Sequence, residues 1–309
     1  MRNKDFQLAK ELNQNLIRFS ENVHPMPGIP DENSREALVE QIIESIRRVG
    51  FTSIIRERDI SSNRANPRNK IFDPLRAAVL LHAQGDFEEA CWLVFLAMHF
   101  GKHRTHGWET TAQVYGALGA QDAWTFEAVS DDIEAFRAWL DDNQGAIQRW
   151  VGNHRKYISL SGSNPHATGA AVESYIEWVQ GSGSHRELFE RAIVEAAGDP
   201  RLAFAALYKA MNAVDSFGRT GRFDYLSMIG KLGLANIEPD RAHLDSGATG
   251  PLTGSKLLFG GSKKSRIGRE ELEDLLLELG DQLGVGMSVV EDAICNWQKN
   301  PMFFVPYRG

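Results

Sequence analysis

Asp86 is followed by fourteen residues, Phe87 to Phe100 (FEEACWLVFLAMHF), that are apolar on three sides of a helical projection. A helix of that kind belongs at the centre of a core, so the chain must supply amphipathic partners on most of its sides. The rest of the sequence has the same 3.6-residue period. It predicts helices over residues 5–19, 73–85, 110–118, 131–141, 146–155, 165–179 (capped by Asn164), 187–197, 202–215 and 269–283. Asn33 and Glu36 form a capping box for a helix running to Arg48 with Gly50 as its stop, and Ser288 with Glu291 caps a last one. Asp73-Pro74 places a capping carboxylate before a first-turn proline. Only residues 51–55 have strand-like composition. The expectation is an all-α fold of roughly a dozen helices.

At 309 residues and 42% hydrophobic content, the chain can bury a full core as one large or two intimate domains. The expected division is an N-terminal helical extension over 1–70 and a compact catalytic region over 71–309. The longest apolar run, around residues 91–98, is about half of the ~20 residues that a membrane span requires. The charged N-terminus has no apolar run of the signal-peptide kind. Both cysteines, Cys91 and Cys295, fall in apolar helical patterns, and no zinc-binding spacing exists. These features predict a cytoplasmic protein with no membrane partner, no metal and no cofactor.

Charge is distributed unevenly. Residues 216–269 hold nine Lys/Arg against four Asp/Glu, in a chain whose formal net charge is −7. A basic island in an acidic chain is where a polyanion docks. Within it, Gly247-Ala248-Thr249-Gly250-Pro251-Leu252-Thr253-Gly254-Ser255-Lys256 follows the plan of a helix-hairpin-helix turn, in which glycines let the backbone approach a phosphate. Gly250, Thr253 and Lys256 are the expected contacts, with Lys263 and Lys264 beyond them; a plain Gly/Pro loop is the alternative. A P-loop is excluded, because GxxxxGK[ST] is absent.

Asp224 follows Gly221-Arg222-Phe223 and is read as opening a helix. A carboxylate there stays ionised and suits stabilising a developing cation, although an ordinary N-cap aspartate has the same pattern. Arg219 and Arg222 are expected to hold phosphates either side of it. His99, His103 and His106 straddle the helix-breaking Gly101 without a carboxylate among them, so a solvated or phosphate-facing loop of Lys102, His103 and Arg104 is preferred to a metal site. Asn153-His154-Arg155-Lys156-Tyr157 is a second basic cluster, with Arg155 as its expected phosphate contact. Tyr225, Trp108 and Tyr115 are candidates for stacking on a base; of Trp108, Tyr115 and Trp124, at least two are expected in the core.

Four separated motifs, FDPLRAAVLLHAQGDFEEACWLVFLAMHFGK, GNHRKY, GRTGRFDYL and GATGPLTGSKLLF, resemble the α-glutamyl/putrescinyl thymine pyrophosphorylase family, clade three, from about residue 72 to near the C-terminus. The resemblance implies a helical fold related to the helix-hairpin-helix DNA glycosylases and chemistry on hypermodified pyrimidines of phage DNA. It implies a monofunctional glycosylase that excises glucosylated hydroxymethylcytosine from double-stranded phage DNA as antiviral defence, with no obligate protein partner. A transferase on activated 5-substituted pyrimidines and a non-catalytic sensor of modified DNA are the alternatives. In such glycosylases the catalytic aspartate follows the hairpin, whereas Asp224 precedes it, so Asp245, Glu273 and Asp274 stand as alternatives for the acid.

Overall fold

The computed structural model describes residues 5–152, 155 and 158–306. In chain order the helices are α1 (Phe6–Asn22), α2 (Glu32–Ile54), α3 (Pro74–Ala83), α4 (Phe87–Phe100), α5 (Glu109–Tyr115), α6 (Phe126–Asp131), α7 (Ile133–Asn143), α8 (Thr168–Gln180), α9 (His185–Glu195), α10 (Pro200–Ala210), α11 (Arg219–Leu232), α12 (Thr249–Gly260), α13 (Arg269–Leu283) and α14 (Met287–Trp297). No strand occurs among the described residues, and the fold is all-α; a single bridge joins His103 and Gly107. None of the described helices is long and apolar enough to cross a membrane.

The chain forms two compact units, one of Met1–Ser53 with Glu238–Gly309 and one of Ile54–Ile237. Helices α1 and most of α2 thus fall in the same unit as α12 to α14. Helix α2 also runs through Gly50 and takes in the stretch read as strand-like. Gly50 has negative φ and open space where a side chain would be, so nothing forces the left-handed turn that would end a helix there.

In the second unit, residues 54–237, α4 is the central element, with twelve of its fourteen residues buried. Asp73 and Asp86 cap α3 and α4 as their spacing predicts, their side chains accepting from the amides of Arg76 and Glu89. A ladder of rings crosses the core: Phe95 stacks on Tyr175 at 3.8 Å and on Phe217 at 4.9 Å. Not every polar group that enters this core is paired: His99 Nδ1 and the indole nitrogens of Trp124 and Trp178 have no hydrogen-bond partner among the described residues, whereas Glu89 does. Glu89 accepts from the Tyr115 hydroxyl and the Phe126 amide, both at 2.7 Å. The segment 146–152, predicted helical, is instead turn and loop up to Gly152. Its Gly152 amide donates to the carbonyl of Phe100 at the end of α4 (2.9 Å).

The first unit buries Leu12, Leu16 and Phe19 of α1 and Leu38 and Ile42 of α2 against Leu258, Leu272, Leu276, Ile294 and Trp297. Here the glycine-spaced motif is corrected. Thr249 to Gly260 is one helix, so Gly250 and Thr253 stand inside α12 and not in a hairpin turn. No helix leads directly into it, since α11 ends at Leu232 and an irregular segment of residues 234–248 intervenes. The physical reason is packing. Gly250 and Gly254 share one face, and a Cβ on them would lie 2.5 Å from Cys295 Sγ and 2.4 Å from Ile294 Cγ2. Pro251 is tolerated because it falls in the first turn, where its missing amide has no helical partner. Only Gly247, at φ +108°, makes a true turn.

Candidate functional site

Helix α11 begins at Arg219 behind Gly218, which puts Asp224 in the second turn and not at the helix start. The electrostatic support expected from the helix terminus is therefore absent, and a side chain supplies it instead. Asp224 Oδ2 lies 3.7 Å from Arg155 Nη2, with the aspartate side chain 44% exposed and that of the arginine only 9%. Arg155 is itself anchored: its Nε donates to the carbonyl of Met98 in the last turn of α4 (2.7 Å), and its guanidinium lies 5.7 Å from the Phe217 ring. A cation at a helix C-terminus is favourably placed. Burial pulls the Arg155 guanidinium below its usual range, and the charge of Asp224 opposes that pull. The arrangement is a carboxylate fixed from behind by a buried cation and open to solvent in front.

Two glycines allow this junction. Gly101 ends α4 with φ +69°, and a Cβ on it would stand 3.1 Å from the Cα of Gly152. Only glycines permit so close a crossing, and it seats Arg155 three residues further on. The other members of the predicted basic cluster, Asn153, His154, Lys156 and Tyr157, lie outside the described residues. Arg155 is 8% exposed, and the partners shown for it are Asp224, the Met98 carbonyl and the Phe217 ring.

Arg219 and Arg222 are corrected in the same way. They are 5% and 8% exposed, with guanidinium carbons 4.5 Å from the Phe223 ring and 4.2 Å from the Tyr208 ring. Arg222 also donates to the Tyr208 carbonyl at 3.1 Å. They lie on the core side of α11, where stacking on rings replaces hydration of the guanidinium.

Tyr225 is fully buried, so it does not line an open base pocket. It ends a chain of hydrogen bonds that the sequence did not announce. The Tyr225 hydroxyl is 2.9 Å from that of Tyr175, which is 2.6 Å from His185 Nε2; His185 Nδ1 is 2.5 Å from Glu88 Oε2. Burial works against ionising Glu88, but hydrogen bonds from the His185 side chain and backbone hold its carboxyl below the usual range. Burial lowers the His185 pKa, and the adjacent Glu88 carboxylate opposes that shift. Tyr115 is also core, held by Glu89, and Trp124 is buried beside it.

Lys102 and Trp108 do come together. The ammonium lies 5.8 Å from the Trp108 ring, and both line a cleft of about 780 Å³ in the second unit. Arg64, Arg68, Lys70 and Arg76 complete its basic lining, against Asp73 and Glu109. Arg64, Arg68 and Lys70 come from the Asn/Pro-rich run SNRANPRNK, within the stretch expected to be an N-terminal extension. The three histidines separate: His99 is buried against Thr168, while His103 and His106 gather at Trp150. No group of three His, Cys, Asp or Glu side chains among the described residues is arranged to hold a metal.

In the first unit, Lys263 and Lys264 are exposed on the loop between α12 and α13, and Lys256 is half-buried on α12. None of the three forms an ion pair among the described residues. Asp245 is half-buried before α12 and Asp274 is exposed on α13. Glu273 is a buried bracket, accepting from the amides of Ala242 and Leu244, and burial raises its carboxyl pKa.

Residues 33–309 match the alpha-glutamyl/putrescinyl thymine pyrophosphorylase clade 3 family. The match takes in α2 and so begins well before the motifs that carry the resemblance. No curated protein and no solved structure matches the chain.

Proposed function

The chain belongs to that family, and from this premise we propose that it is a DNA glycosylase that removes a hypermodified pyrimidine from phage DNA. The observation that carries the reading is the Asp224–Arg155 pair at the end of α4, with the carboxylate half open to solvent. Cleavage of the C1′–N bond sends the bonding electrons out with the base and leaves an oxocarbenium-like sugar. A fixed anion against that sugar lowers the barrier, and the same carboxylate takes the proton of the attacking water, a role worth about 10²–10⁴ in rate. The buried Arg155 guanidinium 3.7 Å behind Asp224 holds the carboxylate in place for both tasks.

The substrate nucleotide must leave the helical stack, at a cost of a few kcal/mol, before its sugar can meet Asp224. Lys102, Lys256, Lys263 and Lys264 are the proposed phosphate contacts. We take glucosylated hydroxymethylcytosine as the base, because a pocket that needs the sugar to fill it spares unmodified host bases. Antiviral defence follows from that selectivity.

The test is incubation with phage DNA carrying glucosylated hydroxymethylcytosine, followed by mass spectrometry of the released base and alkali cleavage at abasic sites. Asp224→Asn abolishes both and leaves DNA binding largely intact; release at the wild-type rate would move the role to Asp245 or Asp274. The family's description and the cationic cleft favour a second reading, a transferase that displaces pyrophosphate from an activated 5-substituted pyrimidine. That reaction leaves no abasic site, so the same assay separates the two.

A further inference from the structure

The cleft of the second unit has five Lys/Arg against two carboxylates and a volume of about 780 Å³, more than one nucleotide needs. Its cations are not equally committed. Arg76 is paired with Asp73, Arg64 donates to the Ile71 carbonyl and Arg68 to the Gln121 carbonyl. Lys70 and Lys102 are exposed, and neither has an ion pair or hydrogen bond among the described residues. They are the cations left for a ligand.

An aromatic surface continues from the same cleft. His106 lines it, and the His106 ring stacks on Trp150 at 4.0 Å with 10° between the planes. His103 holds this loop in shape, its Nδ1 accepting from the amides of Thr105 and His106 at 3.2 and 3.1 Å. Trp150 remains 37% exposed, a large indole kept at the surface against the cleft-lining His106. Cations that track phosphates together with a stacking platform are the two components of single-strand recognition.

We infer that this cleft binds a single-stranded segment of DNA, with Lys70 and Lys102 on its phosphates and Trp150 stacked on a base. The inference rests on the glycosylase reading for the identity of the nucleic acid, and deepens it by giving the unpaired strand a path. Lys102 directly follows Gly101, against which Arg155 packs behind Asp224, so the path lies beside the proposed acid. A strand fits the cleft better than a free nucleoside polyphosphate. Two helix starts line the cleft, and each carries a carboxylate that repels the compact phosphate cluster helix termini otherwise attract: Asp73 caps α3, and Glu109 is the first residue of α5.

The experiment is fluorescence anisotropy of the full chain with a short, unmodified oligodeoxythymidylate across a salt series. Lys70→Ala with Lys102→Ala weakens binding about tenfold or more at low salt and lowers the salt slope by about 1.4, two contacts at about 0.7 each. Trp150→Ala weakens binding about fivefold or more and leaves the slope unchanged, because stacking releases no counterions. Lys209→Ala, an exposed cation outside the cleft, binds as wild type. Wild-type affinity in either cleft variant overturns the proposal. Displacement of the oligonucleotide by ATP or inorganic pyrophosphate at a lower concentration than by unlabelled strand also overturns it, in favour of a free-nucleotide site. Base release by Asp224→Asn is measured separately from oligonucleotide binding by the cleft variants, so failure of the cleft and failure of the catalytic assignment are distinguished.

Discussion

Gly254 of α12 faces Ile294 of α14 with no room for a side chain: a Cβ would stand 2.4 Å from Ile294 Cγ2 and 2.5 Å from its carbonyl oxygen. The backbone oxygen cannot rotate away, so Gly254→Ala forces the two helices apart. The expected loss is about 2–3 kcal/mol, measured by urea unfolding. Gly50→Ala is the control. With nothing within 4 Å in α2, it gains about 0.5–1 kcal/mol from helix propensity. Equal tolerance of both changes would show that α12 does not pack on α14 through its glycines.

Arg155→Met removes the cation behind Asp224 and leaves the Met98 carbonyl without its side-chain donor. Base release is expected to fall about 10–100-fold, in kcat more than in KM, with a stability loss of about 1–3 kcal/mol. Arg155→Lys recovers part of the rate but less of the stability, since lysine lacks the fork that reaches both partners. A full rate in Arg155→Met would separate the arginine from the chemistry.

Glu89 gives the fold a pH dependence. Burial is the largest influence on its carboxyl and pushes it up to about 7 from an ordinary 4.5, although Tyr115 and Phe126 donate to it. The folded state thus binds a proton more tightly than the unfolded chain. The resulting stability is fully present below about pH 4.5 and is lost as pH rises to about 7, on the order of 3 kcal/mol. Glu89→Gln is expected to be more stable than the wild type at pH 8, with the difference closing toward pH 5. Thermal melts at the two pH values check it.

Lys263→Ala with Lys264→Ala tests the basic loop of the first unit. Both side chains are exposed and free of ion pairs among the described residues, so the melting temperature should not move. Duplex affinity is expected to fall and the salt slope to drop by about 1.8, two contacts at about 0.9 each. An unchanged slope would take this loop out of the DNA interface.

The helical architecture could be read from periodicity because each helix obeys local rules. Asp73 and Asp86 cap where their spacing says, and α13 has the predicted bounds. The candidate site was only partly legible, for reasons of geometry. Glycines four apart serve a turn and a helix–helix contact equally well, and nothing near Gly250 says which until α14 lies against it. Arg219 and Arg222 look like phosphate ligands in one dimension, but the face of α11 they occupy turns inward. Asp224 was identifiable as a candidate; its partner Arg155 was seen only as one member of a basic cluster. The cleft lysine Lys70 went unnoticed because its loop was assigned to an extension and not to the wall facing Lys102.

The first unit is built from both ends of the chain, with the second unit inserted between them. During synthesis, residues 54–237 can collapse around α4 once they have emerged from the ribosome. Helices α1 and α2 must wait with Leu12, Leu16, Phe19, Leu38 and Ile42 uncovered until α12 to α14 are made. Nascent chains stalled before residue 238 should therefore hold chaperones through the N-terminal helices, and release them only when α12 to α14 arrive.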